Sequence, residues 1–129
     1  MKTIIHIVIL IFLLMLTGCV QETHTKTIKF KLDMRQVKSS ADVGVRGTTK
    51  PLSWGKTFYL TDTDNDSIYE GIIELNSANF GIEFKFVNQN DQFELQDQNN
   101  RTIKFEYKPE TMLYEAVFNN PYGKTSLLK

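Results

Sequence analysis

Trp54 is the only tryptophan of the chain, and it falls in a polar stretch, Pro51-Leu52-Ser53-Trp54-Gly55-Lys56, instead of on an apolar strand face. An indole face, the ammonium of Lys85 and the amides crowded between Asn88 and Asn100 suit a sugar. The pyranose ring stacks on the aromatic, and groups that both donate and accept hydrogen bonds read its hydroxyls. The same residues also fit a plug at one end of a β-sandwich and a hairpin of biased composition, and residue types leave both readings open. A second cluster, Asp62-Thr63-Asp64-Asn65-Asp66-Ser67, sets three carboxylates at alternate positions, where they can converge on a hard cation. An EF-hand loop wants Gly sixth and Glu twelfth; Ser67 and Ile73 stand there. The expectation is an Asx-rich turn, with weak calcium binding by Asp62, Asp64 and Asp66 as the alternative. Catalysis has little support. There is no Gly-x-Ser-x-Gly elbow or phosphate-cradling glycine loop, and Glu83, Glu106 and Glu115 alternate outward from strands as solvated charges do. A non-enzyme without a cofactor is expected.

The one cysteine, Cys19, closes an N-terminal segment with its own logic. Lys2 precedes an unbroken apolar run, Ile7 to Leu16. That run is shorter than the ~18–20 residues that span a bilayer, and so reads as the apolar core of a secretory signal. The ending Leu16-Thr17-Gly18-Cys19 resembles the lipobox of bacterial lipoproteins. The resemblance implies removal of residues 1–18 and lipidation of Cys19, whose thiol is the nucleophile that takes up a diacylglyceryl group. The alternatives are an ordinary signal peptide with an incidental cysteine and an N-terminal membrane anchor that is never cut. Val20 follows the cysteine where the inner-membrane retention signal it would otherwise resemble has aspartate. The expected location is therefore the bacterial cell envelope, extracytoplasmic, and the outer membrane before the inner.

What remains is one small domain of near-zero charge; the whole chain has 15 Lys+Arg and 15 Asp+Glu. Such a balance gives no argument for nucleic acid as a partner. With a single cysteine, stability must come from packing without an internal disulfide. Polar residues 19–26 are expected to be the lipidated cysteine and its tether, 27–120 the domain, and 121–129 a loose tail. From Thr27 the pattern has period two, and Lys29-Phe30-Lys31-Leu32-Asp33-Met34-Arg35 alternates strictly. Similar alternation marks Ile82–Phe86, Ile103–Tyr107 and Met112–Phe118. Shorter candidates are Val43–Arg46, Thr57–Leu60, Ile68–Leu75 and Gln92–Leu95. Asn-, Asp-, Ser- and Pro-rich breaks separate them. Seven or eight short antiparallel strands imply an all-β, immunoglobulin-like sandwich, with a small barrel as the alternative.

Four segments, in order, resemble the starch-binding domains of carbohydrate-binding module family 20. They are Val43-Gly44-Val45-Arg46-Gly47 leading to Pro51-Leu52-Ser53-Trp54; Ile68 to Leu75; Ile82-Glu83-Phe84-Lys85-Phe86-Val87; and Phe93-Glu94 leading to Asn100-Arg101-Thr102. The resemblance implies Trp54 as a stacking platform, Lys85 and Asn100 as hydroxyl-binding groups, and Glu94 as a helper. Phe93 stands at the family's second platform tryptophan (Leu95 if the gap is placed differently), which narrows the grip on a helical glucan. Tyr69 matches an aromatic of the family's second site, though Ile73 and Leu75 share its face and would draw it to the core rim.

Together these readings give a lipid-anchored, non-catalytic protein that binds an α-glucan such as starch or glycogen at a shallow surface. The competing expectation is an envelope lipoprotein that uses the same sandwich to meet other envelope proteins.

Overall fold

The computed structural model describes residues 1–14 and 18–129. Leu16 and Thr17 of the Leu-Thr-Gly-Cys motif therefore lie outside the described residues. The apolar segment forms one helix, α1 (Lys2–Leu14), about 20 Å long at 1.5 Å per residue. No helix among the described residues is long and apolar enough to cross a membrane. Cys19 is exposed.

The remainder is an all-β sandwich, as the alternation predicts. Among the described residues nine strands form two sheets: β1 (His24–Asp33), β2 (Gly44–Gly47), β3 (Phe58–Tyr59), β4 (Ile68–Ser77), β5 (Gly81–Asn88), β6 (Gln92–Phe93), β7 (Arg101–Lys104), β8 (Glu110–Val117) and β9 (Gly123–Leu127). One sheet runs β4-β1-β8-β9. The other runs β3-β2-β5-β6, with β7 also paired to β5. The inward residues of both sheets meet around Phe30, Phe84, Phe86 and Tyr114, whose ring centroids lie 5.0–6.4 Å apart, mostly edge to face. Edge-to-face contact places the positive rim of one ring on the negative face of the next, and full burial of each such side chain contributes about 1.5–3 kcal/mol.

Three expectations are corrected. The strands are not all antiparallel, because β1 and β8 pair in parallel from Lys26↔Glu110 to Asp33↔Val117. The tether ends sooner, since β1 already begins at His24 and Lys26 is buried inside it. A lysine tolerates that position because its Nζ bonds the Glu110 carboxylate at 2.6 Å and the Glu106 carbonyl at 2.6 Å, and stands 5.1 Å above the Phe105 ring. Those partners are some eighty residues away, which local polarity cannot reveal. The tail is not loose either, for β9 pairs with β8 from Ala116↔Gly123 to Met112↔Leu127. Its Gly-Lys-Thr-Ser-Leu sequence lies on an exposed edge and has no buried face to impose alternation. It is held by the backbone ladder.

Candidate functional site

Register decides what the outer face of the five-stranded sheet presents. On β2 and β5, Val45, Phe84 and Phe86 point into the core, so Arg46, Glu83 and Lys85 point outward, with Arg46 opposite Lys85. The three-residue turn after β5 reverses through Gln89 and Asn90, both with left-handed backbones (φ 50° and 68°), and returns as β6 with Phe93 opposite Val87. Phe93 thus lies on the outer face, over a Val87 that it helps to bury. The loop from β2 to β3 brings Trp54 onto the same face. Its ring centroid is 6.3 Å from that of Phe93 at an interplanar angle of 38°, and 37% of the residue is exposed.

One arginine fixes this arrangement. Arg46 donates to Thr57 Oγ1 (2.9 Å), the Trp54 carbonyl (3.2 Å) and the Asn90 carbonyl (2.7 Å), and its guanidinium sits 5.3 Å over the Phe93 ring. It ties the Trp54 loop, the turn after β5 and the Phe93 ring into one unit. Nearby, the Tyr59 hydroxyl donates to Asn90 Oδ1 at 2.9 Å, placing a further half-exposed aromatic beside that turn. Neither Arg46 nor Tyr59 is marked for a site by the sequence reading, although the alternation Val45-in, Arg46-out already turns the arginine toward solvent.

The other expected site residues fare differently. Lys85 is on the outer face, but its Nζ donates to the carbonyls of Leu95 (2.9 Å) and Gln98 (3.0 Å), bracing the β6–β7 loop. Its third N–H direction remains for a hydroxyl. Asn100 is exposed, with Nδ2 at 3.5 Å from a Glu83 carboxylate oxygen, and borders a cleft of about 390 Å³ with Gln98 and Asn99. Glu94 cannot help bind a sugar at the surface, because it is fully buried. Its oxygens take a two-pronged ion pair from Arg101 (2.6 and 2.9 Å) and backbone N–H bonds from Phe86 (2.9 Å) and Asn119 (3.1 Å). Burial works against the charge of Arg101, yet the hydrogen bond and charge of Glu94 keep its pKa above the ordinary arginine value. Tyr69 lies across the molecule on β4, opposite inward-facing Leu32, and packs against the core as its neighbours Ile73 and Leu75 suggest. It is a rim residue of the other sheet, away from Trp54.

In the acidic loop, carboxylate oxygens of Asp62, Asp64 and Asp66 come within 4.8 Å of one another. Both Asp62 oxygens accept backbone N–H bonds, from Asp66 (3.1 Å) and Ser67 (2.9 Å), and Asp66 Oδ1 accepts that of Ile68 (2.8 Å). This is the Asx-turn chemistry expected of the segment. Desolvation, together with a hydrogen bond and the charge of Asp66, pushes the Asp64 carboxyl up from its ordinary value.

A second cleft, about 450 Å³, opens between Gln92, Phe93, Gln96, Phe118 and Asn119. The patch therefore runs from Trp54 across Phe93 to a row of amides. What the fold and surface define is an all-β sandwich with two adjacent aromatic faces bordered by amides, an arginine and a lysine. No protein-family model matches the chain, and no curated protein matches it. Among solved structures, the solution structure of the CBM25-2 of a β/α-amylase from Paenibacillus polymyxa aligns over 82% of this chain and 95% of its own, at 13% identity and a TM-score of 0.49. A likeness of that degree carries nothing about the site.

Proposed function

We propose that this chain is a lipid-anchored, non-catalytic carbohydrate-binding protein, and that its ligand is an α-glucan of the starch or glycogen type. The observation that carries the reading is the half-exposed Trp54 ring beside Phe93 on the outer sheet face, with its loop held by Arg46. A platform fixed before binding loses little conformational freedom on complex formation. The two rings, 6.3 Å apart and tilted by 38°, offer neighbouring aromatic surface to adjacent sugar rings. Glutamine and asparagine side chains along its border supply donors and acceptors for hydroxyls. With one large face, one smaller face and no deep pocket, affinity is expected at roughly 10 µM to 1 mM. Cys19, exposed at the end of an apolar segment, takes the lipid; the envelope, outer membrane before inner, is the proposed location.

The test is a calorimetric and fluorescence titration of residues 20–129, which contain every strand, with maltoheptaose. Saturable binding with a change in Trp54 emission, abolished in Trp54→Ala, is the expected result. Phe93→Ala should weaken binding about tenfold, the loss of roughly 1.4 kcal/mol of contact. Neither heat nor emission change at tens of millimolar sugar would refute the glucan reading. Anchoring is tested apart from this: wild-type protein should incorporate labelled fatty acid and fractionate with membranes, and Cys19→Ala should do neither.

A further inference from the structure

The chain leaves the sandwich toward Cys19 at one pole, and that pole gathers several of the domain's exposed apolar side chains. β1 begins there, with His24 opposite Ser77 at the end of β4. Gln21 Nε2 donates to the Ala78 carbonyl (3.4 Å), which holds the segment after Cys19 against the β4–β5 loop. Phe80 projects from that loop and is 74% exposed. Tyr107, 53% exposed, projects from the β7–β8 loop beside it. Neither is on a slack segment. The Phe105 N–H bonds the Phe80 carbonyl at 2.8 Å, and the His24 ring stands edge-on to Tyr107 at 4.4 Å. At the edge of the same sheet β9 runs toward this pole and ends in exposed Leu127 and Leu128, the Leu128 N–H bonding the Thr111 carbonyl at 2.8 Å.

Solvent-facing Phe, Tyr and Leu collected around the exit of an anchored segment have one natural cover. We propose that Phe80, Tyr107, Leu127 and Leu128 form a seat for the bilayer surface, entering the headgroup region when Cys19 is anchored; this rests on the lipid-anchored reading above. Glu106 and Lys108 pair with each other at 2.6 Å and the four side chains of the seat are uncharged, so its contact comes from apolar and aromatic burial. Tyrosine suits this level, with its ring in the apolar boundary and its hydroxyl in water. Only four residues, Val20 to Thr23, separate Cys19 from β1. Fully extended they reach about 14 Å, so the anchor holds this pole, and no other part of the domain, against the membrane. The Trp54–Phe93 patch lies near the opposite end of β5, level with Val87. At 3.3 Å per residue from Gly81 that is about 20 Å farther from the bilayer.

The experiment uses the full chain, extracted from membranes and reconstituted into phosphatidylcholine vesicles carrying brominated acyl chains. The variant Trp54→Phe/Phe80→Trp places the only indole at the pole, and Trp54→Phe/Leu128→Trp repeats the measurement from the end of β9. In both, emission should be blue-shifted and quenched by the brominated lipid, whereas wild-type protein, reporting from Trp54, should be unaffected. If both variants fractionate with membranes in a Cys19-dependent way yet show no quenching, the seat is refuted and the anchor stands. If membrane association does not depend on Cys19 and no quenching is seen, the anchored reading falls and the seat with it.

Discussion

At the scale of single residues, the segment Phe93-Glu94…Asn100-Arg101 combines a proposed binding residue and a folding device in one stretch of chain. Phe93 faces outward; Glu94 turns inward and meets Arg101 in a pair that also collects the backbone of β5 and of the turn after β8. Arg101 continues to the carbonyls of Val117 (3.2 Å) and Asn120 (2.6 Å). Removing one member leaves an uncompensated buried charge or orphaned donors, so Glu94→Gln should lose about 3–5 kcal/mol of stability in a urea titration. Glu94→Leu/Arg101→Met should recover much of that loss, because no charge is then left alone. Glucan affinity of whatever remains folded should hardly change, which separates Glu94 from Phe93 by measurement. Sequence reading brings Trp54 and Phe93 to notice because large aromatics in polar stretches stand out. It misplaces Glu94 because a carboxylate beside an aromatic reads the same whether it meets a hydroxyl or a buried guanidinium.

At the scale of elements, the strands visible in the sequence are those with one buried face. Alternation from Lys29 to Arg35, Ile82 to Phe86 and Met112 to Phe118 finds β1, β5 and β8 nearly in register, since each one-residue step moves a side chain between core and solvent. β7 is expected at Ile103–Tyr107 but forms at Arg101–Lys104, displaced toward the Arg101 that the buried pair draws in. β9 and the first residues of β1 escape notice because distant partners hold them. The end of β1 carries its own electrostatic lock. Arg35 donates to both Asp33 oxygens (2.7–3.1 Å), and this hydrogen bonding holds the Asp33 carboxyl below its usual value of 3.8 against a smaller opposing effect of burial. A carboxyl whose pKa is lowered by folding contributes stability that is full above its unfolded value and lost as pH falls through the folded one. Asp33→Asn should therefore lower the thermal midpoint at neutral pH, with the difference from wild type shrinking below about pH 4 and vanishing at more acid values. In the acidic loop, Asp62→Ala should cost about 1 kcal/mol, because two backbone N–H groups lose their acceptor.

At the scale of the whole molecule, the two sheets divide the surface. The five-stranded sheet carries the aromatic and amide patch on its outer face, and the pole where β1 begins carries Phe80, Tyr107 and the end of β9. The pairing of β1 with β8 closes the four-stranded sheet between segments some eighty residues apart. Contacts so distant in sequence are formed late, and folding of residues 20–129 is expected in milliseconds to seconds, as for other all-β domains; stopped-flow refolding followed by Trp54 emission measures it. The position of β1 matters after folding as well. It is an inner strand, laddered along its length to β4 on one side and β8 on the other, and its N-terminus is where the chain leaves for Cys19. In the anchored, glucan-bound state proposed above, a pull between Cys19 and the polymer would enter the domain along the axis of β1. It loads both ladders in shear, so many hydrogen bonds share the force at once instead of parting in sequence. Mechanical resistance, and not thermodynamic stability alone, is what that placement gives a domain held at one end and tugged at the other.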